Sequence, residues 1–336
     1  MKDFITLAIE SSCDETAAAV LKGGREVLSN VISSQIPVHE AYGGVVPEIA
    51  SRMHLEKINH VVEKALKDAK VGWDDVNLIG VTNGPGLIGA LVIGVSAAKG
   101  YAVSRGIPLV GVNHMYGHVS SNFVTYPDLE PPFLCLVVSG GHTNIIEMES
   151  YTKARVLGST RDDAVGEAYD KVARVIGLGY PGGPKVDKLA KEGDPDAIHF
   201  KRVYLEKDSF DFSFSGIKTA VLNYVNTEKQ AGREIKAENI AAGFQEAVVE
   251  VLVNKTIDAA KTLGETKLAL AGGVAANSAL RDAMTEAASK AGIKLYLPEM
   301  SLCTDNAAMI GSAAYYKYME SGAEAVDLDA FADLSF

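Results

Sequence analysis

Cysteine is scarce in this chain: Cys13, Cys135 and Cys303 are the three among 336 residues. They are scattered and form no Cys-x-x-Cys pair, which argues against a disulfide framework, fits a reducing compartment, and makes each thiol a small buried residue by default. Basic charge is also in deficit. With 32 Lys and Arg against 43 Asp and Glu, the formal net charge of -11 argues against a broad basic footprint for nucleic acid, so RNA contact would need a local patch or a partner. No apolar run approaches membrane-spanning length, and the N-terminus enters a strand-like run without a charged leader and apolar h-region. A cytoplasmic protein without membrane contact is expected. Apolar residues, by contrast, make up 47% of a chain long enough for two domains with substantial cores.

Phe4 to Glu10 reads as a strand, Ser11-Ser12-Cys13-Asp14-Glu15-Thr16 as a polar turn, and Ala17 to Leu21 as a second strand ended by Gly23-Gly24. About 130 residues on, Phe133 to Val138, Ser139-Gly140-Gly141-His142-Thr143-Asn144 and Ile145 to Met148 repeat the pattern, which predicts an internal duplication. Such turns either leave backbone N–H groups facing phosphate or carboxylate oxygens or are plain hairpins. Between them, Leu55, Ile58, Val61, Val62, Ala65 and Leu66 recur at helical spacing over His54 to Ala69. Leu78 to Thr82 reads as a strand, and Asn83-Gly84-Pro85-Gly86-Leu87-Ile88-Gly89 as a glycine loop opening a helix to about Ala102. The loop is neither a Walker A sequence nor the dinucleotide fingerprint, so a phosphate site and a tight crossover fit it equally.

Pro108 to Val112 delivers the chain to His114-Met115-Tyr116-Gly117-His118, with Asn113 as a helix N-cap. Histidines at i and i+4 share a helical face. A zinc protease of the His-Glu-x-x-His type needs Glu after the first His, and Met115 stands there. That leaves a two-histidine metal site short of ligands, or ordinary surface or core histidines. In the second half, Asp162 to Ile176 reads as an acidic helix, Gly177 to Pro184 as a loop too glycine-rich to be helical, and Lys267 to Ala271 as a strand entering Gly272-Gly273-Val274-Ala275-Ala276-Asn277 and a helix. Acids beside the glycine loop either lie in solvent or bond ribose hydroxyls. Asp305 precedes a helix running to about Tyr318 and suits its cap.

The duplicated hairpins, the late Gly-Gly turn and the α/β alternation together resemble the actin-like superfamily of acetate and sugar kinases and Hsp70. Six segments resemble the bacterial TsaD family more closely: Glu10 to Thr16, Tyr42-Gly43-Gly44-Val45-Val46-Pro47-Glu48, Asn83 to Leu87, His114 to His118, Ser139 to Thr143, and Phe212-Ser213-Phe214-Ser215-Gly216-Ile217-Lys218. The resemblance implies an α/β, actin-like fold of two duplicated RNase H-like domains with a ligand cleft between them. Limits are expected at 1–113, 114–304, and 305–336 as a helix and tail packing back on the first domain. It implies a tRNA N6-adenosine threonylcarbamoyltransferase, passing the threonylcarbamoyl group of threonylcarbamoyl-AMP to N6 of adenosine 37 in tRNAs that read codons beginning with A. A small-molecule kinase or ATPase of the same superfamily is the alternative.

The family's metal ligands map onto His114, His118 and Asp305, implying one divalent ion per subunit, Fe2+ ahead of Zn2+. Archaeal and eukaryotic relatives add a tyrosine ligand where this chain has Val137, which leaves the fourth ligand unassigned and fits a bacterial member. Substrate contacts carry over to Val137, Val138, Ser139, Gly140 and Gly141, to Asp170, Gly183 and Asp187, and to Asn277. Asp14 and Glu15 sit where kinases of the superfamily keep a catalytic carboxylate, implying a role in proton removal. Implied partners are tRNA, a smaller paralogous TsaB-like subunit and a TsaE-like P-loop ATPase.

Overall fold

The computed structural model of the chain describes residues 3–206, 209–324 and 327–336. In chain order its elements are β1 (Ile5–Glu10), β2 (Glu15–Lys22), β3 (Glu26–Ser34), α1 (Ile36–Glu40), α2 (Pro47–Ala69), β4 (Leu78–Gly84), α3 (Ile88–Arg105), β5 (Leu109–Asn113), α4 (His114–Thr125), β6 (Phe133–Val138), β7 (Thr143–Met148), β8 (Ala154–Ser159), α5 (Val165–Val175), α6 (Gly182–Ala190), α7 (Ser215–Gln230), α8 (Ala237–Leu263), β9 (Lys267–Ala271), α9 (Ser278–Ala291), β10 (Lys294–Tyr296) and α10 (Ala307–Ser321). Two compact units result. The first holds the chain to Pro131 with Met148–Ala154 and Pro298–Phe336; the second holds Pro132–Glu147 and Arg155–Leu297.

The first unit's sheet runs β3-β2-β1-β4-β5, with β1 antiparallel to β2 and parallel to β4, and β4 parallel to β5. The second unit's sheet runs β8-β7-β6-β9-β10, with β6 parallel to β9 and β9 to β10. The strand order is the same in both. The duplication read from two hairpins therefore extends over whole sheets.

Strand alternation explains the first unit's layers. Leu7, Ile9, Ala18, Val20, Ile79 and Val81 meet Ile58, Val62 and Ala65 of α2 and Val95 and Ala98 of α3 on one face. Ala8, Ala17, Ala19, Leu21, Leu78 and Val110 meet Ala308, Met309, Ile310 and Ala314 of α10 on the other. Both faces of β1, β2 and β4 are covered, which is why they read as continuous apolar runs. A Cβ built on Gly80 would lie 2.4 Å from that of Ala314, so α10 rests directly on the backbone of β4.

The expected boundary at 113/114 moves to 131/132, because α4 packs on α10 within the first unit. Helix α2 begins at Pro47 rather than His54, since proline suits the first helical turn; Leu55, expected on its buried stripe, is exposed. Gly182 and Gly183 open α6 instead of lying in a loop. Helix α5 starts at Val165, because the Asp162 carboxylate is engaged by Ser213, Phe214 and Ser215. In the second unit, Tyr169 and Phe244 pack edge to face, 5.0 Å apart, among buried residues of α5 and α8.

The two readings of the glycine loop at residues 83–89 are separated by what lies on it. Phe331 N–H donates to Asn83 O at 2.7 Å and Gly86 N–H to Ala332 O at 3.1 Å, and a Cβ on Gly84 would fall 2.4 Å from Phe331 O. The loop is a seat for the chain's own residues 331–334. Among the described residues, no helix is long and apolar enough to cross a membrane.

Gly80→Ala should lower the thermal unfolding midpoint, with a cost of about 1–3 kcal/mol from overpacking against a fixed helix backbone. A wild-type midpoint would mean that α10 can lift off β4.

Candidate metal centre

Strand β5 passes into α4 without a loop. Asn113 ends the strand, and its Oδ1 accepts from Met115 N–H at 2.8 Å, capping the helix that begins at His114. His114 and His118 then face the same way, with ring centroids 4.6 Å apart at 76°. The cap of α10 is Asn306, whose side chain accepts from Met309 N–H, and not Asp305. Asp305 is thereby released for the histidines: its Oδ1 lies 3.4 Å from His114 Nε2 and 3.3 Å from His118 Nε2. The ligand atoms of these three residues fall within 4.8 Å of one another.

A carboxylate absent from the sequence-based site stands behind them. Glu10, at the end of β1 and fully buried, has Oε2 3.0 Å from His114 Nδ1 and accepts from Thr82 Oγ1 at 2.6 Å, while its Oε1 accepts from Ser12 N–H. Ser12 Oγ lies 3.2 Å from the same Nδ1. With a cation in place, a proton on Nδ1 shared with Glu10 would leave the Nε2 lone pair free for it, the orientation a metal-ligating histidine takes from a carboxylate partner. The signal available in the sequence was an acid ending a strand that is otherwise apolar.

Burial alone would lower His114, but the charges of Asp305 and Glu10 lift it well above its ordinary value. Burial would raise the two acids, yet His114 holds Glu10 below its usual range and, with His118, holds Asp305 far below it. Burial first, then the His114 charge, push His118 down, so it is neutral. His118 is 1% exposed, and neither ring nitrogen makes a well-directed hydrogen bond. A buried imidazole left in that state is costly. A divalent cation held by His118, His114 and Asp305 would satisfy the Nε2 side of that ring, and two imidazoles with one carboxylate form a donor set that suits such an ion.

Asp14 and Glu15 are both buried beside this group of residues. Glu15 Oε1 accepts from Ser34 Oγ at 2.9 Å, while Oε2 is buried without a hydrogen bond. Burial, reinforced by the Asp14 charge, pushes the Glu15 carboxyl up to about 8.

The remaining predicted residues lie in the second unit, several of them hydrogen-bonded to neighbouring helices. Val137 and Val138 are buried at the end of β6, and Gly140 and Gly141 have open space where a Cβ would sit, as does Gly183. Ser139 O accepts from Gly166 N–H on α5. Asp170, also on α5, accepts from Gly182 N–H at 2.7 Å; Asp187, on α6, accepts from Ser278 Oγ at 2.9 Å. Asn277 caps α9 and donates to Gln245 Oε1 at 2.7 Å. Ser278, Gln245 and Tyr169 were not legible as members of this network, because each sits in an ordinary helical pattern.

The family model described as "TsaD: tRNA N6-adenosine threonylcarbamoyltransferase" matches residues 26–312. The chain belongs to the TsaD family. A tRNA N6-adenosine threonylcarbamoyltransferase of Clostridium botulinum (strain Kyoto / Type A2) is 57% identical over 335 residues, covering 99% of this chain and 98% of that protein. One from Clostridium perfringens (strain SM101 / Type A) is 58% identical over 330 residues, covering 98% and 97%. Among solved structures, full-length HypF in the phosphate- and nucleotide-bound form superposes with a TM-score of 0.63 at 16% identity, over 95% of this chain and 47% of that one. The activator of the 2-hydroxyisocaproyl-CoA dehydratase from Clostridium difficile with bound ADPNP gives 0.53 at 13% identity, over 95% and 97%. These two share the actin-like fold.

Glu10→Gln should weaken metal binding roughly 10–100-fold in a chelator competition assay, the usual cost of losing a partner behind a ligand; unchanged affinity would remove Glu10 from the site. The folded state keeps the Glu15 proton to about pH 8, whereas an unfolded chain releases it near 4.5, so stability falls as pH rises between those values. Glu15→Gln should therefore raise the unfolding midpoint relative to wild type at about pH 9 and lose that advantage near pH 4. A pH-independent difference would contradict the assignment.

Proposed function

We propose that this protein transfers the threonylcarbamoyl group of threonylcarbamoyl-AMP to N6 of adenosine 37 in tRNAs reading codons beginning with A, releasing AMP. Family membership and full-length relatives bearing that activity in their names support the reading. The convergence of His114 Nε2, His118 Nε2 and Asp305 Oδ1 carries it, because a sugar or acetate kinase has no use for such a group.

The adenylate is already activated. The exocyclic amine attacks the carbamoyl carbonyl carbon, a C–N bond forms, the C–O bond to the AMP phosphate breaks, and the amine proton passes to a base. No protein nucleophile is needed, so Ser139 binds oxygen rather than attacking. Of the two acids at the start of β2 and just before it, Glu15 has the carboxyl suited to proton exchange near neutral pH, raised by burial and then by the charge of Asp14 beside it. A divalent metal, Fe2+ or Zn2+, held by His114, His118 and Asp305 supplies Lewis acidity and an orienting point for oxygen donors. Glu10 holds His114 in the tautomer that this requires.

In the second unit, the backbone N–H groups of Val137, Val138, Ser139, Gly140 and Gly141 are assigned to phosphate or carbamoyl oxygens, an arrangement that open space at both glycines favours. Asp170 and Asp187 are assigned to hydroxyls. Each already accepts from a neighbouring helix start, which fixes the direction of its carboxylate. Gly183 and Asn277 are assigned to the adenylate lying along the backbone. A smaller paralogous subunit and a P-loop ATPase are the proposed partners, and with a net charge of -11 they bear on how tRNA is held.

In an assay with threonylcarbamoyl-AMP, the partner subunits and a tRNA carrying the target adenosine, His114→Ala and Asp305→Ala should each cut transfer by at least about 100-fold, the loss of several kcal/mol of metal assistance. Their circular dichroism should stay at wild type. Retained transfer in either variant, or in wild type stripped by chelator, would refute the metal role.

A further inference from the structure

Arg25 follows the Gly23-Gly24 turn that ends β2, and its guanidinium uses all five N–H bonds on uncharged oxygens. Nε–H donates to the Tyr316 hydroxyl. Nη1 donates to the main-chain carbonyls of Phe123 and Tyr126 at 3.3 and 3.0 Å. Nη2 donates to the carbonyl of Leu129 at 3.0 Å and to the Tyr151 hydroxyl at 3.2 Å. Its central carbon lies 5.4, 5.8 and 5.5 Å from the ring centroids of Phe123, Tyr151 and Tyr316, and the two tyrosine rings stack 4.0 Å apart at 4°. Among the described residues no carboxylate pairs with it. An arginine placed only for charge balance would take one.

What this cation holds is the end of one helix against another. Phe123, Tyr126 and Leu129 lie at or just beyond the C-terminal end of α4, where the helix dipole is negative. Tyr316 is on α10. Nearer the histidines the same two helices touch at Gly117, where a Cβ would come within 2.6 Å of Ile310 Cδ1. Gly117 and Phe123 are separated by about 9 Å of helix at 1.5 Å per residue. The close approach at Gly117 and the clamp at Arg25 bracket the packing of α4 on α10 at its two ends. Helix α4 carries His114 and His118, and Asp305 stands just ahead of α10, so the 3.4 and 3.3 Å approaches of the imidazoles to the carboxylate depend on that setting.

We propose that Arg25 is a positioning residue for the metal centre, clamping the C-terminal end of α4 to α10 so that both imidazoles face Asp305. The proposal rests on reading His114, His118 and Asp305 as a metal site.

The test uses Co2+ as probe on the full chain, following its visible absorption at a temperature well below every unfolding midpoint. Arg25→Met should raise the Co2+ dissociation constant about tenfold or more and shift the absorption band, the scale of losing support behind a ligand. Arg25→Lys should fall between Arg25→Met and wild type, because an ammonium offers three N–H groups and no fork, and it serves as the variant if Arg25→Met does not fold. Val62→Ala, in the core on the other face of the sheet, should lower the midpoint with Co2+ affinity unchanged. Wild-type affinity and band in either Arg25 variant would overturn the proposal alone, as would equal weakening by Val62→Ala. Failure of wild type to take up Co2+ would overturn the metal reading, and this proposal with it.

Discussion

The buried carboxylate of Glu10 is the constraint on which the first unit's chemistry depends. It terminates β1 in the centre of a sheet, where an unpaired charge would be prohibitive, and it is tolerated because Thr82 of β4, Ser12 of the hairpin turn and His114 of α4 all converge on it. Breaking a buried pair by removing one partner typically costs about 3–5 kcal/mol, so strand, turn and helix are tied to one another at this point. The same bond settles which nitrogen of His114 faces outward. Stability and ligand geometry are therefore set by one interaction.

The duplicated architecture places comparable turns in comparable positions and gives them different chemistry. In the first sheet the connection between the two opening strands carries Asp14 in the turn and Glu15 at the start of β2, both buried. In the second it carries Gly140 and Gly141, with open space above the backbone. One scaffold thus carries carboxylates in one unit and glycine backbone in the other at equivalent strand ends.

Much of this was legible in the sequence because it is written in local pattern. The apolar runs at β1, β4, β5, β6 and β9, the Asn113 cap and the histidine pair at i,i+4 are all short-range signals. What was not legible depends on contacts distant in the chain. Glu10 ends a strand with no local signal of its role, since its partner His114 is 104 residues away. Asp305 suited a helix cap until Asn306 was found in that position, and the loop at residues 83–89 could not be distinguished from a phosphate site without residues 331–334 lying on it. The domain boundary was misplaced because α4 follows a strand of the first unit without any linker, and only its packing on α10 assigns it there.

That missing linker has an evolutionary consequence. Because β5 becomes α4 at Asn113, the direction of both imidazoles is inherited from strand register, and a one-residue insertion or deletion between Leu109 and Asn113 would invert the strand's alternation and misdirect the histidine face. Point substitutions leave that register alone. The length of this stretch is therefore constrained more tightly than that of surface loops elsewhere in the chain, which tolerate insertions and deletions.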